Sequence, residues 1–138
     1  MLEIHKDDYR LQFDDIVVNE NDLKKGFLVN GTMTVRVSKP AYSAISFWEI
    51  NGKELYAFFE TVKNMWNSLN VGSCSIKEPY GDQFISVRYD GRYFVISGRI
   101  GIPFESGYQT TFSETMDQSY LGGFVGAIKT FDLHSFLS

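Results

Sequence analysis

The stretch Asn51–Leu69, NGKELYAFFETVKNMWNSL, constrains the fold more than any other part of this chain. Leu55, Phe58, Phe59, Val62, Trp66 and Leu69 recur at steps of three and four. That spacing draws one apolar stripe along a helix, with Lys53, Glu60, Lys63, Asn64 and Asn67 on the opposite side. Asn51 is placed to cap the first turn, and Glu54 three residues later completes a capping box. A stripe this rich in large aromatics needs a broad apolar surface to cover, which implies a sheet.

The rest of the chain supplies the strands. Tyr9, Leu11 and Phe13 alternate with Arg10, Gln12 and Asp14, and the pattern runs on through Ile16, Val17 and Val18 with a bulge at Asp14-Asp15. Residues 19–25 read as a polar connection. Phe27, Val29, Met33, Val35 and Val37 then share one face of a strand in which Gly31 marks either a bulge or the close approach of another backbone. Asn30-Gly31 also fits a tight hairpin turn. The continuous strand is preferred, because the alternation keeps its phase across the glycine.

Lys39-Pro40 makes a turn, and Tyr42–Ile50 is a strand feeding into the aromatic helix, which Asn70-Val71-Gly72 stops. Four further strands follow: 73–77, 84–89, 93–100 and 108–114. Asp90-Gly91 is read as a two-residue hairpin, and the loop 101–107 precedes the last strand. Short links imply an antiparallel meander. Asp117 caps a second helix with the stripe Tyr120, Leu121, Phe124, Val125, Ile128 and Phe131, and residues 132–137 form a last turn folding back. Gly122, Gly123 and Gly126 are costly inside a helix, so close packing is expected at them. The expectation is a single α+β domain over residues 1–138: a largely antiparallel twisted sheet of six to seven strands covered by two main helices, in the order β-β-β-α-β-β-β-β-α.

At 138 residues with 43% hydrophobic and 16% aromatic content, the chain can bury a real core, and disorder is excluded. No apolar run reaches the length of a membrane helix, and MLEIHKDDYR lacks the basic and apolar regions of a secretory signal. With one cysteine, Cys74, there is no internal disulfide, and a cytoplasmic location is expected. Charge is uneven: of the net −4, residues 1–22 hold −5. That acidic balance argues against nucleic acid as a direct partner and suits a basic protein. A second reading is that acids on an edge strand merely keep the edge unpaired.

Catalytic chemistry finds little purchase. His5 and His134 lie at opposite ends, no metal-ligand spacing appears, and Cys74 reads as a core thiol rather than a nucleophile. The glycines at 122, 123 and 126 lack the Gly-Lys-Ser/Thr ending of a phosphate loop. Chance carboxylate pairs, such as Glu105 with Glu114, are expected among 17 acids. Tyrosines beside acids, as in Glu78-Pro79-Tyr80-Gly81-Asp82, have the composition of interface anchors, although outward tyrosines are also ordinary strand formers.

The succession of strands, the helix pattern Leu55…Phe58-Phe59…Trp66…Leu69, a meander, and Asp117-Gln118-Ser119-Tyr120-Leu121 opening a closing helix resembles the small immunity proteins of the WapI type over residues 40–131. These protect bacteria from the C-terminal domains of wall-associated or contact-dependent toxins. The resemblance implies a cytoplasmic protein, not an enzyme, that binds one cognate toxin domain and blocks it without a cofactor. It implies structural roles for Asp117 and Tyr120. Acids and tyrosines of the loops and the N-terminal edge are the expected partner contacts: Asp14, Asp15, Glu20, Asp22, Glu78, Tyr80 and Asp82. A monomer or a weak homodimer is expected, with neither membrane nor nucleic acid as partner. The alternative is a small-ligand-binding domain or enzyme, its apolar pocket lying between the sheet and the aromatic helix and lined by Phe47, Phe59 and Trp66.

Overall fold

The computed structural model describes residues 2–101 and 109–129. It is α+β, with two antiparallel four-stranded sheets in place of the single sheet expected. The first sheet comprises β1 (Leu2–Lys6), β2 (Tyr9–Val18), β3 (Gly31–Lys39) and β4 (Tyr42–Ile50) in chain order. The second comprises β5 (Gly72–Lys77), β6 (Phe84–Tyr89), β7 (Phe94–Ile100) and β8 (Thr110–Met116), again in chain order. Between them runs the aromatic helix, α2 (Gly52–Ser68). A helix of this length carries the chain about 26 Å from the end of β4, so β5 starts a new meander rather than extending the old one.

Among the described residues there are three α-helices, not two. The polar connection after β2 contains α1 (Glu20–Lys24), capped by Asn19, whose side chain accepts from the Asp22 N–H. The closing helix begins later than its stripe suggested. Asp117 caps a 3-10 turn over Gln118–Leu121, and α3 (Gly122–Lys129) follows. Phe131 and residues 132–137 lie outside the described residues, as does most of the loop 101–107. Among the described residues no helix is long and apolar enough to cross a membrane.

β1 escaped the sequence reading. Leu2 and Ile4 are buried and alternate with Glu3 and His5, and Lys6 pairs with Tyr9 across a two-residue turn. Asp7 takes the left-handed conformation there (φ 52°) that Asn or Gly more often supplies. The bulge in β2 is as expected: its register against β3 shifts between Asp14 and Val17, and Asp15 is left-handed at φ 51°.

Asn30-Gly31 is neither a hairpin turn nor the middle of a strand. The buried Asn30 accepts from the Gly52 N–H through Oδ1 (2.7 Å) and donates from Nδ2 to the Phe27 carbonyl (3.1 Å). Its own N–H donates to Ile50 O and its carbonyl accepts from the Asn19 N–H. These four bonds bind the α1 loop to the start of α2, so β3 starts only at Gly31 and Phe27 is left outside the strand and exposed. The close approach expected at Gly31 is present: a Cβ there would stand 2.4 Å from the Val17 carbonyl oxygen. The glycines of α3 differ. A Cβ at Gly122 would make an ordinary contact with Trp66, and Gly123 and Gly126 have nothing within 4 Å among the described residues.

Two further turns depart from expectation. β6 and β7 are joined by four residues rather than two, since Tyr89 pairs with Phe94 and the Asp90 N–H donates to Tyr93 O. The Asp90 carboxylate accepts from the N–H groups of Tyr93 and Arg92, which hold it below the usual carboxylate range. α2 ends at Leu69 as expected, but its cap is Leu69 itself, left-handed (φ 53°) with its N–H donating to Met65 O, rather than the Asn70-Val71-Gly72 tripeptide. Leu69 is therefore exposed and leaves the stripe.

The apolar faces of both sheets join α2 and α3 in one buried cluster. At its centre Phe59 of α2 meets Phe13 of β2 edge-on (5.6 Å between ring centres) and Phe124 of α3 (6.0 Å). Polar ties run around it. Lys6 donates to the Thr115 carbonyl (2.9 Å), Lys39 pairs with Glu114, and the Trp66 indole donates to Gln118 O (2.8 Å). Tyr120, expected as a structural element, lies beneath the Lys6 ammonium, 5.9 Å from its ring centre.

Candidate functional site

β4 is the outermost strand of the first sheet, and its two faces differ less than an edge strand's usually do. Ser46, Trp48 and Ile50 point inward and are buried. Ile45, Phe47 and Glu49 point outward, where Ile45 is 60% and Phe47 79% exposed. Phe47 stands beside Thr34 on β3, which in turn pairs with Asp14 on β2, so an aromatic and a carboxylate occupy one row. The next row holds Val17, Thr32 and Glu49. An open groove lined by Val17, Asp22, Asn30, Thr32 and Glu49 runs from there to α1.

Four of the seven expected contact residues border this face. Asp14 pairs with Arg36 (3.5 Å), and Asp15, exposed at the bulge, accepts from the Thr34 hydroxyl (3.4 Å). Glu20 sits in the first turn of α1, paired with Lys24 (3.1 Å), and Asp22 lines the groove. The other three lie in the β5–β6 loop. Glu78 accepts from the Gln83 side chain (2.6 Å), Tyr80 projects outward at 79% exposure, and Asp82 faces Arg99 (3.8 Å).

The buried Gln83 fixes that loop against the first sheet. Its Oε1 accepts from the Ser46 hydroxyl and from the Gly101 N–H (2.7 Å), so the loop is pinned to β4 one residue from Phe47. The seven residues thus form two groups, four bordering the outer face and three in a loop tied to the inward-pointing Ser46 of β4. What the sequence reading missed is the exposed apolar pair Ile45 and Phe47 on that outer face. Its signal was present: strict alternation places Ile45 and Phe47 on one face of Tyr42–Ile50 while Trp48 and Ile50 claim the other. An antiparallel strand apolar on both faces has one face left for something else.

The residues proposed to line a ligand pocket do not share one. Phe59 is buried among Phe13, Phe58 and Phe124, Trp66 is partly buried with its N–H bonded to Gln118, and Phe47 is on the opposite face of the sheet. The buried Tyr9 phenol has no hydrogen-bond partner among the described residues, and its pKa is pushed far up by burial, then by Tyr42 and Glu114. Glu114 is engaged by Lys39, which that bond holds above its ordinary value; Glu105 lies outside the described residues.

Burial pushes the Cys74 thiol from 9.0 to about 11. Its thiolate fraction near neutral pH is therefore about a hundredfold below that of the unfolded chain. Alkylation by iodoacetamide, compared in native and urea-unfolded protein, is expected to show a deficit of that order, shrinking as pH rises towards 11. Equal rates in the two states would mean that burial does not perturb the thiol, and a faster native rate would identify an activated one.

No protein-family model, curated protein or solved structure was found to match this chain.

Proposed function

We propose that this chain is a cytoplasmic immunity protein that neutralises a basic toxin domain by binding it stoichiometrically through the outer face of its first sheet. The carrying observation is Phe47 with Ile45, two large apolar side chains exposed on one face of β4, in and beside the rows that hold Asp14 and Glu49. Contiguous exposed apolar surface is a binding signature rather than a folding one. Aromatic anchors at the centre of an interface hold a complex, and a charged rim speeds its formation and selects the sign of the partner. Asp14, Asp15, Asp22 and Glu49 border that face, with Glu20 in the adjoining α1, and make its rim negative; Glu78, Tyr80 and Asp82, in the loop tied to β4 through Gln83, extend the proposed contact. The WapI-type resemblance supplies the class of partner; the face supplies the means.

The test is co-expression with the C-terminal domain of a large secreted protein encoded immediately upstream, following cell survival and co-purification together. Rescue with a one-to-one complex is the expected result. Phe47→Ala is expected to weaken that complex by about thirtyfold, equivalent to about 2 kcal/mol, mainly through faster dissociation. Replacing Asp15, Asp22 and Glu49 with alanine is expected to slow association and flatten its salt dependence. Undiminished toxicity with no complex would sink the proposal, and full affinity in Phe47→Ala would move the interface elsewhere.

A further inference from the structure

The second sheet sorts charge in the opposite sense. Its inner positions, Ile85, Val87, Ile96, Phe112 and their neighbours, are buried, so the alternate residues form an outer face. Among the described residues that outer face carries Lys77, Arg88 and Arg99 and not one Asp or Glu from its strands. Between the cations each strand contributes a serine at the same level, with Ser75 opposite Ser86, Ser86 opposite Ser97, and Ser97 opposite Ser113. Lys77 and Arg99 share one row two strands apart, and Arg88 lies four residues along β6 from that row. Strand geometry sets these cations about 10 Å and about 14 Å apart. The acids bordering the face are Glu78, next to Lys77 in the chain and accepting from the Gln83 side chain, Asp82, 3.8 Å from Arg99, and Asp90, engaged with backbone N–H groups beyond the end of β6.

We infer that this face binds the phosphodiester backbone of a single-stranded nucleic acid. Overall charge argued against such a partner, but charge on the second sheet is sorted by side: Glu114 of β8 lies on its inner side opposite Ile96, and Glu78, Asp82 and Asp90 lie in its loops, leaving the outer positions of the strands themselves with cations alone. The choice between a protein and a polyanion follows from what else the face offers. A protein partner needs apolar anchors at the centre of the contact. Here the centre is serine, and the aromatic Phe84 is half-buried beside Arg99, whose guanidinium is 5.8 Å from its ring centre. A polyanion needs no anchor, because its binding free energy comes from counterions released as cations meet phosphates, with hydroxyl donors fixing position. A flat face crossed by donors and edged by cations suits an extended strand, whose phosphates are accessible from one side.

The experiment is fluorescence anisotropy with a labelled thymidine homopolymer, titrated over a range of salt. Three phosphate contacts predict a slope of log K against log salt of about −2, since each contact on a single strand contributes about −0.7. The double variant Arg88→Ala, Arg99→Ala is expected to lose about tenfold or more at low salt and to bring the slope to about −0.7. Ser97→Glu, which puts a negative charge in the middle of the face, is expected to abolish binding while the circular dichroism spectrum is unchanged. Phe47→Ala, on the other sheet, is expected to bind as the parent does, which separates this inference from the toxin-binding one. Absence of binding at low salt, insensitivity to these substitutions, or equally tight binding of polyglutamate would overturn it.

Discussion

Phe59→Ala is expected to remove about 3–5 kcal/mol from the unfolding free energy, the largest loss of any single side chain considered. Phe59 is 2% exposed and meets three rings contributed by β2, α2 itself and α3. Truncation forfeits the transfer free energy of the ring and leaves a cavity that three elements would have to close together. They are poorly placed to do so, because Phe13 belongs to a strand paired on both sides and cannot move without its neighbours. Urea unfolding is the measurement, read as a fall in midpoint at constant slope. Phe47→Ala is the internal control. It deletes the same side chain from the outer face, where little packing is lost, and is expected to stay within about 0.5 kcal/mol of the parent. Similar losses from both variants would mean that the aromatic helix does not cover the first sheet as described.

The second large effect is expected at Gln83. Its amide is 3% exposed and makes three hydrogen bonds, to Ser46, Gly101 and Glu78. Gln83→Leu keeps the volume and removes the bonds, leaving the Ser46 hydroxyl and the Gly101 N–H buried without partners. An unsatisfied buried group costs about 1–3 kcal/mol, so a loss of about 2–5 kcal/mol is expected. The signature is non-additivity. Adding Ser46→Ala to Gln83→Leu removes one orphan and is expected to recover part of the loss, where independent sites would add. A second readout is functional. With the loop unpinned, Tyr80 is no longer held beside β4, so affinity for the basic partner is expected to fall even under conditions where the variant is fully folded.

What could be read from residues alone followed the strength of local signals. The α2 stripe, the bulge at Asp14-Asp15 and the close approach at Gly31 each follow from side-chain periodicity or from one residue's stereochemistry, and each is present. The division into two sheets was not legible, because pairing partners are chosen by where α2 takes the chain and no strand encodes that by itself. Asn30 misled for a related reason. It is a turn former by composition, yet its four hydrogen bonds reach Asn19, Phe27, Ile50 and Gly52, three of them far along the chain. Of the residues expected as contacts, Asp14, Asp15 and Asp22 lie on or beside the exposed face, because acids on a strand and its loop are legible from pattern; Phe47 reads as pocket lining, because a large aromatic reads as core. Only the burial of Trp48 and Ile50 on the other side of β4 shows that the core had no room for it.

Among the described residues, every strand pairs only with its neighbours in sequence, in both sheets. For a chain leaving the ribosome this means that no strand waits for a distant partner. Residues 2–50 contain every backbone pairing of the first sheet, and 72–116 every pairing of the second. Loop closure between adjacent strands is cheap, so the search for each sheet's pairing is short, whereas the ties of Lys6 to Thr115 and of Lys39 to Glu114 wait for both sheets. The exposed interval lies elsewhere. Until α2 and the second meander have been synthesised, Leu11, Phe13, Val35 and Trp48 have no cover, and a nascent first sheet presents a bare apolar surface. The vulnerable species in the life of this molecule is therefore the half-made chain, and its yield in a cell is set by how soon translation supplies the other half.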